Sequence, residues 1–184
     1  MAHQAIAEQT WESAARVQLK TGSSAVVRID QQTTDLILRV QSQGKTLFEQ
    51  DGPDLVVGSE FVLLENSREE QLAFDIQVAP RTLGMDVRYH VFVTHDPAPL
   101  YEEFARRVSK AHQLWYNSDT ADPAVDELIT YLQVAQDPSF RLLAFHSLVN
   151  AYHNTGQSEA VTLAFERFNP QLGIASLASN HERL

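Results

Sequence analysis

The sequence predicts an α+β chain in two parts. An N-terminal antiparallel β-sandwich of about eight strands, Greek-key or jelly-roll-like, precedes a helical region of about four or five helices. Three observations predict it. From Ala25 to Val93 apolar and polar residues alternate in short runs. At 95–99 the stretch HDPAP breaks that pattern with two prolines. Beyond it, apolar residues recur at helical spacing.

The densest alternation is LAFDIQV (72–78), with Leu72, Phe74, Ile76 and Val78 on one side and Ala73, Asp75 and Gln77 on the other. Successive side chains of a strand point to opposite faces, so this segment has one dry and one wet face. AVVRID (25–30), DLILRV (35–40), FVLLE (61–65) and RYHVFVT (88–94) repeat the signal. The lead-in SAARVQLK turns Ala15, Val17 and Leu19 inward, and TLF and LVV read as short strands. Between them, QSQGK (41–45) is a hairpin loop in which Gly44 supplies a positive φ, and QDGPD (50–54) is a turn cluster.

Prolines cannot sit in a central strand, so HDPAP marks the joint between residues 1–96 and 97–184. The Pro-Ala-Pro linker is too short to act as a tether, so the helices are expected to dock on the strands. Leu100, Phe104, Val108, Ala111 and Trp115 form an amphipathic stripe. Asp122-Pro123 and Asp137-Pro138 each read as helix starts, with Asp as cap and Pro in the first turn. Gly156 stops the third helix, Ser158 caps a fourth, and Asn169-Pro170 ends it. Residues 174–183 are expected to add a partial helix over Ala164 and Phe168.

The 184 residues are 43% apolar and carry a net charge of −10, enough to build a core and wrong in sign for non-specific nucleic-acid binding. No nucleic-acid partner and no membrane span are expected. The absence of cysteine excludes disulfides, thiolate metal sites and thiol nucleophiles. The N-terminus has neither a basic n-region nor an apolar h-region. A P-loop, G-x-G-x-x-G and G-x-S-x-G are all missing, so no catalytic residue is assigned and the chain is not read as an enzyme.

Residues 142–170, LLAFHSLVNAYHNTGQSEAVTLAFERFNP, resemble a tetratricopeptide repeat: Phe145, Leu148, Tyr152, Gly156, Ala160 and Pro170 follow that family's order. The turn is about one residue short, and Val149 stands where the family has a small residue. The strand region is similar to the bacterial pre-peptidase C-terminal type of sandwich, through its G-x-x-AVVRID strand, G-K-T-L-F hairpin, D-G-P turn and closing Y-H-V-F-V strand. Together these resemblances imply a non-catalytic module from the N-terminal part of a longer bacterial signalling or CHAT-type protein. They imply a periplasmic or other extracytoplasmic setting, with the cytoplasm as the alternative. The partner would be a protein, a peptide or further domains of the same chain.

Asp51, Asp54 and Asp35 are the candidate Ca²⁺ ligands, set against the plainer reading that Asp and Gly build turns. No cofactor is otherwise expected. His146 and His153 share a helix face that His112 could approach, as a polar helix contact or as metal ligands. The candidate partner-binding surface is Trp115, Tyr116, His112, Tyr152 and His153, whose aromatics serve either core packing or ligand stacking. The acid pairs Glu69-Glu70, Glu102-Glu103 and Asp126-Glu127 are expected on solvated faces. Three functions compete: an interaction module, a carbohydrate-binding or calcium-dependent lectin-like protein, and an enzyme with an unrecognised site.

Overall fold

A computed structural model describes residues 10–53 and 58–172. Among these described residues, seven strands precede four helices. The strands are β1 (Glu12–Leu19), β2 (Ser24–Gln31), β3 (Leu36–Ser42), β4 (Lys45–Gln50), β5 (Gly58–Glu65), β6 (Leu72–Pro80) and β7 (Tyr89–His95). The helices are α1 (Pro99–Asn117), α2 (Asp122–Val134), α3 (Pro138–Asn154) and α4 (Ser158–Leu172). The strand expected at LVV (55–57) and the partial helix expected at 174–183 fall outside the described residues.

All strand pairings are antiparallel, and they build two sheets ordered β1-β6-β3-β4 and β5-β2-β7. The alternation in β6 is realised as read, with Leu72, Phe74, Ile76 and Val78 buried. These side chains meet Val27, Ile29, Val62 and Leu64 of the other sheet in a shared core. The β3–β4 hairpin turns through Gln43 and Gly44, at φ 50° and 73°. Two consecutive positive φ angles match the right-handed twist of the paired strands.

β2 lies at the centre of the three-stranded sheet and is buried on both faces. Ala25, Val27 and Ile29 point into the core between the sheets, while Val26 joins Phe61, Phe104 and Val108 in a second core under the helices. The edge of the Phe61 ring meets Phe104 at 4.8 Å, and Phe140 of α3 stacks on Phe104 at 4.9 Å. Removing an aromatic of this size from water contributes about 2–3 kcal/mol, and the helices accordingly sit against the sheet. α1 crosses β5 and β4, α2 and α3 pack on α1 and on each other, and α4 packs on α3.

The helix ends follow local chemistry. Asp137 Oδ1 accepts from the amides of Ser139 and Phe140, at 2.8 and 3.2 Å. Gly156, at φ 72°, lets its own N–H reach His153 O and that of Gln157 reach Tyr152 O, satisfying carbonyls at the end of α3. Two boundaries differ from expectation. The cap of α2 is Ala121, with Asp122 already in the first turn, where its charge favours the positive helix end. α4 continues through Pro170 to Leu172, past the Asn169-Pro170 stop expected from the sequence.

Candidate functional site

Where α1 crosses the β4–β5 side, the two sheets and the helices enclose a polar cluster. Glu60 is in phase with Val62 and Leu64, so strand alternation aims its carboxylate into the interior. Its exposure is 0%. A bare buried carboxylate would be costly. Here Oε1 accepts from the Gly52 amide at 2.7 Å and from Gln31 Nε2 at 3.4 Å. Oε2 accepts from Gln50 Nε2 at 3.1 Å and lies 2.8 Å from His112 Nδ1.

α1 supplies His112 and Ser109 from adjacent turns of one face. Ser109 Oγ donates to Gln50 Oε1 at 2.8 Å, and Gln50 Nε2 also donates to the carbonyl of Phe61 at 2.9 Å. The network places the imidazole proton on Nδ1, facing Glu60. Nε2 is then left 3.5 Å from Ser147 Oγ on α3. Gly52 closes the cluster because no side chain fits there: an added Cβ would lie 2.6 Å from Glu60 Oε1 and 2.7 Å from His112 Cε1. Beside it, Asn154 Nδ2 donates to Pro53 O at 2.7 Å, tying α3 to the segment after β4.

Ser147, His112 and Glu60 stand in the order of a hydroxyl, a base and an orienting acid. Catalysis by that order needs a substrate within reach and donors for the developing oxyanion. Ser147 is 4% exposed, His112 and Glu60 are fully covered, and the serine sits mid-helix with its neighbours' amides committed to the helix ladder. The arrangement holds a proton and locks three layers together. It does not present a nucleophile.

Asp51 and Asp35 do come together, and the Arg81 guanidinium lies beside both. Arg81 Nη1 contacts the Asp51 carboxylate and lies 3.6 Å from Asp35 Oδ2. Burial pushes the Asp51 carboxyl well above the usual carboxylate range, the charges of Asp35 and Glu60 push it further, and Arg81 offsets only part. Arg81 thus takes the place beside both carboxylates that a cation would need, and Asp54 lies outside the described residues. Among the described residues, no group of three or more His, Asp or Glu side chains is arranged to hold a metal ion.

The other named residues scatter. His112 is interior and offers no surface, contrary to its place among the partner-binding candidates, because α1 turns it toward Glu60. Trp115 and Tyr152 are half-buried against the helical core, and only His153 of that set is exposed. The Tyr116 hydroxyl donates to Glu49 Oε2 at 3.2 Å; burial, then the nearby carboxylate, pushes the phenol up to about 12. His146 and His153 are exposed on α3, away from the interior His112. Glu127 departs from the solvated reading: it lies between α1 and α2, bound by Arg107 Nη1 at 2.9 Å and Lys110 Nζ at 2.6 Å.

The helical part exposes apolar side chains on its last pair and in one cleft. Leu142, Leu143, Leu163 and Phe165 on α3 and α4 are 37%, 40%, 57% and 41% exposed. A cleft of about 190 Å³ is lined by Leu100, Tyr131, Val134 and Phe140 together with Glu103 and Asp137, and none of the buried polar cluster reaches it.

Sequence reasoning missed Glu60, Gly52, Gln50, Ser109 and Ser147. One signal was available for Glu60, an acid two residues before Val62 and therefore in phase with inward positions. No helix of the described residues is long and apolar enough to cross a membrane. No family model, curated protein or solved structure matches this chain.

Proposed function

We propose that the chain is a non-catalytic interaction module: a β-sandwich of the pre-peptidase C-terminal-like kind bearing tetratricopeptide-like helices that take a protein or peptide partner. The observation that carries this reading is the exposed apolar set Leu142, Leu143, Leu163 and Phe165 on the last helical pair. Exposed apolar side chains on neighbouring helices suit a partner's apolar anchors, and helix pairs of this kind offer grooves to peptides. The reading is also supported by the sealed position of Ser147, His112 and Glu60. The resemblances favour an extracytoplasmic setting and further domains of the same chain as one source of the partner.

Selection from a displayed peptide library against the wild-type chain and Leu163→Glu tests this reading. Peptides with apolar anchors at helical spacing, bound at least tenfold more weakly by the variant, are expected. Recovery of no peptide that distinguishes the two proteins would overturn the reading. So would ester or peptide hydrolysis by the wild type that Ser147→Ala abolishes.

A further inference from the structure

The two sheet edges on the side away from α1 are built differently. β1 carries Glu12 and Arg16 and a register irregularity between Ser13 and Ala15, devices that keep an edge from pairing with another chain. β7 reads YHVFVTH, with no Lys, Arg, Asp, Glu, Pro or bulge. Among the described residues β7 pairs with β2 alone. Phe92 and Val93 are 45% and 40% exposed on opposite faces of that strand.

The backbone of β7 has a definite phase. The Gln32 amide donates to Arg88 O and the Asp96 amide donates to Ser24 O, so the even-numbered residues exchange their bonds with β2. Tyr89, Val91, Val93 and His95 therefore point their N–H and C=O groups away from the sheet.

We propose that β7 is a self-pairing edge, joining antiparallel to β7 of a second copy of this chain about a two-fold axis at Phe92. A two-fold interface must be self-complementary. Centred on Phe92, Val91 meets Val93 of the second copy, His90 meets Thr94, and Tyr89 meets His95. Val91 and Val93 then exchange amide bonds across the axis, using the outward groups. Phe92 falls on the non-hydrogen-bonded position, where paired residues approach most closely and aromatic pairs contribute most. Just beyond the strand, Arg88 comes opposite Asp96 of the second copy at both ends, so charges of opposite sign meet. The Arg88 guanidinium is free to shift, since its contact with Asp86 at 2.9 Å is a solvent-exposed pair. The result is one continuous sheet through both copies, with the helices of each on the same face.

Sedimentation equilibrium on the full chain tests the pairing. A concentration-dependent dimer is expected, weakened at least tenfold by Val93→Lys and by Val93→Pro. The proline removes an N–H that does nothing within one copy, so the folded state should persist, and the lysine variant decides the matter if it does not. The chain lacks cysteine, so Phe92→Cys should oxidise to a covalent dimer while Leu47→Cys on β4 stays monomeric. A wild-type chain that remains monomeric at about 1 mM overturns the proposal. A dimer untouched by Val93→Lys but lost in Leu163→Glu also overturns it, placing association at the helical end.

Discussion

His112 Nδ1 lies 2.8 Å from Glu60 Oε2, with both side chains wholly withdrawn from solvent, and this contact joins the first helix to the second sheet. Such a pair is weak evidence for net stability, because desolvating both groups costs much of what their attraction returns. Breaking it from one side is a different matter. His112→Ala leaves Glu60 short of a partner and should cost about 3–5 kcal/mol in urea unfolding. A loss below about 1 kcal/mol would mean that Gly52 and Gln50 alone satisfy the carboxylate.

The two carboxyls with shifted equilibria should act on stability with opposite signs. An unfolded Asp titrates near about 3.9, and that of Asp51 is raised in the fold, so the native state holds the extra proton just above that pH. Stability from this residue is present at low pH and falls as pH climbs from about 4 toward the raised value. Asp51→Asn should therefore melt increasingly above the wild type as pH is raised. A margin that stays constant with pH refutes the assignment.

Glu127 behaves in reverse. Partial burial raises its carboxyl, but Lys110 and Arg107 outweigh that and hold it below the usual range. Its contribution is present above the unfolded value of about 4.3 and is lost as pH falls through the lower folded value. Glu127→Gln should lose melting temperature at neutral pH and converge on the wild type in acid.

Two glycines should respond differently to the same replacements. Gly44 has φ +73° and open space around it, so Asn, which tolerates that conformation, should be nearly neutral there. At Gly52 the obstacle is Glu60 and His112 rather than φ, and Ala should cost about 1–3 kcal/mol through overpacking, with Asn worse. Thermal denaturation of Gly44→Asn, Gly52→Ala and Gly52→Asn separates the two causes.

On β6, Phe74 is 4% exposed while neighbouring Asp75 makes only a 3.6 Å contact with Arg16. Phe74→Ala should cost about 3–5 kcal/mol, and Asp75→Ala less than about 0.5 kcal/mol. Chemical denaturation yielding equal losses would put the strand in the opposite phase.

The strands and helices were legible because each announces itself locally. LAFDIQV alternates over its whole length, and Asp137-Pro138 starts α3 with the cap and proline expected. The joint was not legible, since its chemistry is assembled from distant positions: Glu60 and His112 are 52 residues apart, and Gln50 and Ser109 are 59 apart. Gly52 read as a turn glycine although its role is to leave room for two side chains. His112 read as part of a surface because a helix stripe does not say which of its borders meets a neighbouring sheet.

The double burial of β2 bears on how the chain is made. Val26, Phe61 and Leu63 face the helices, so their cover is Phe104 and Val108, which leave the ribosome after every strand has been synthesised. Until then the nascent chain carries a bare aromatic and aliphatic patch on a sheet whose partner strands are already in hand. A holdase chaperone should bind translation intermediates stalled just after β7, and should release them once α1 has emerged.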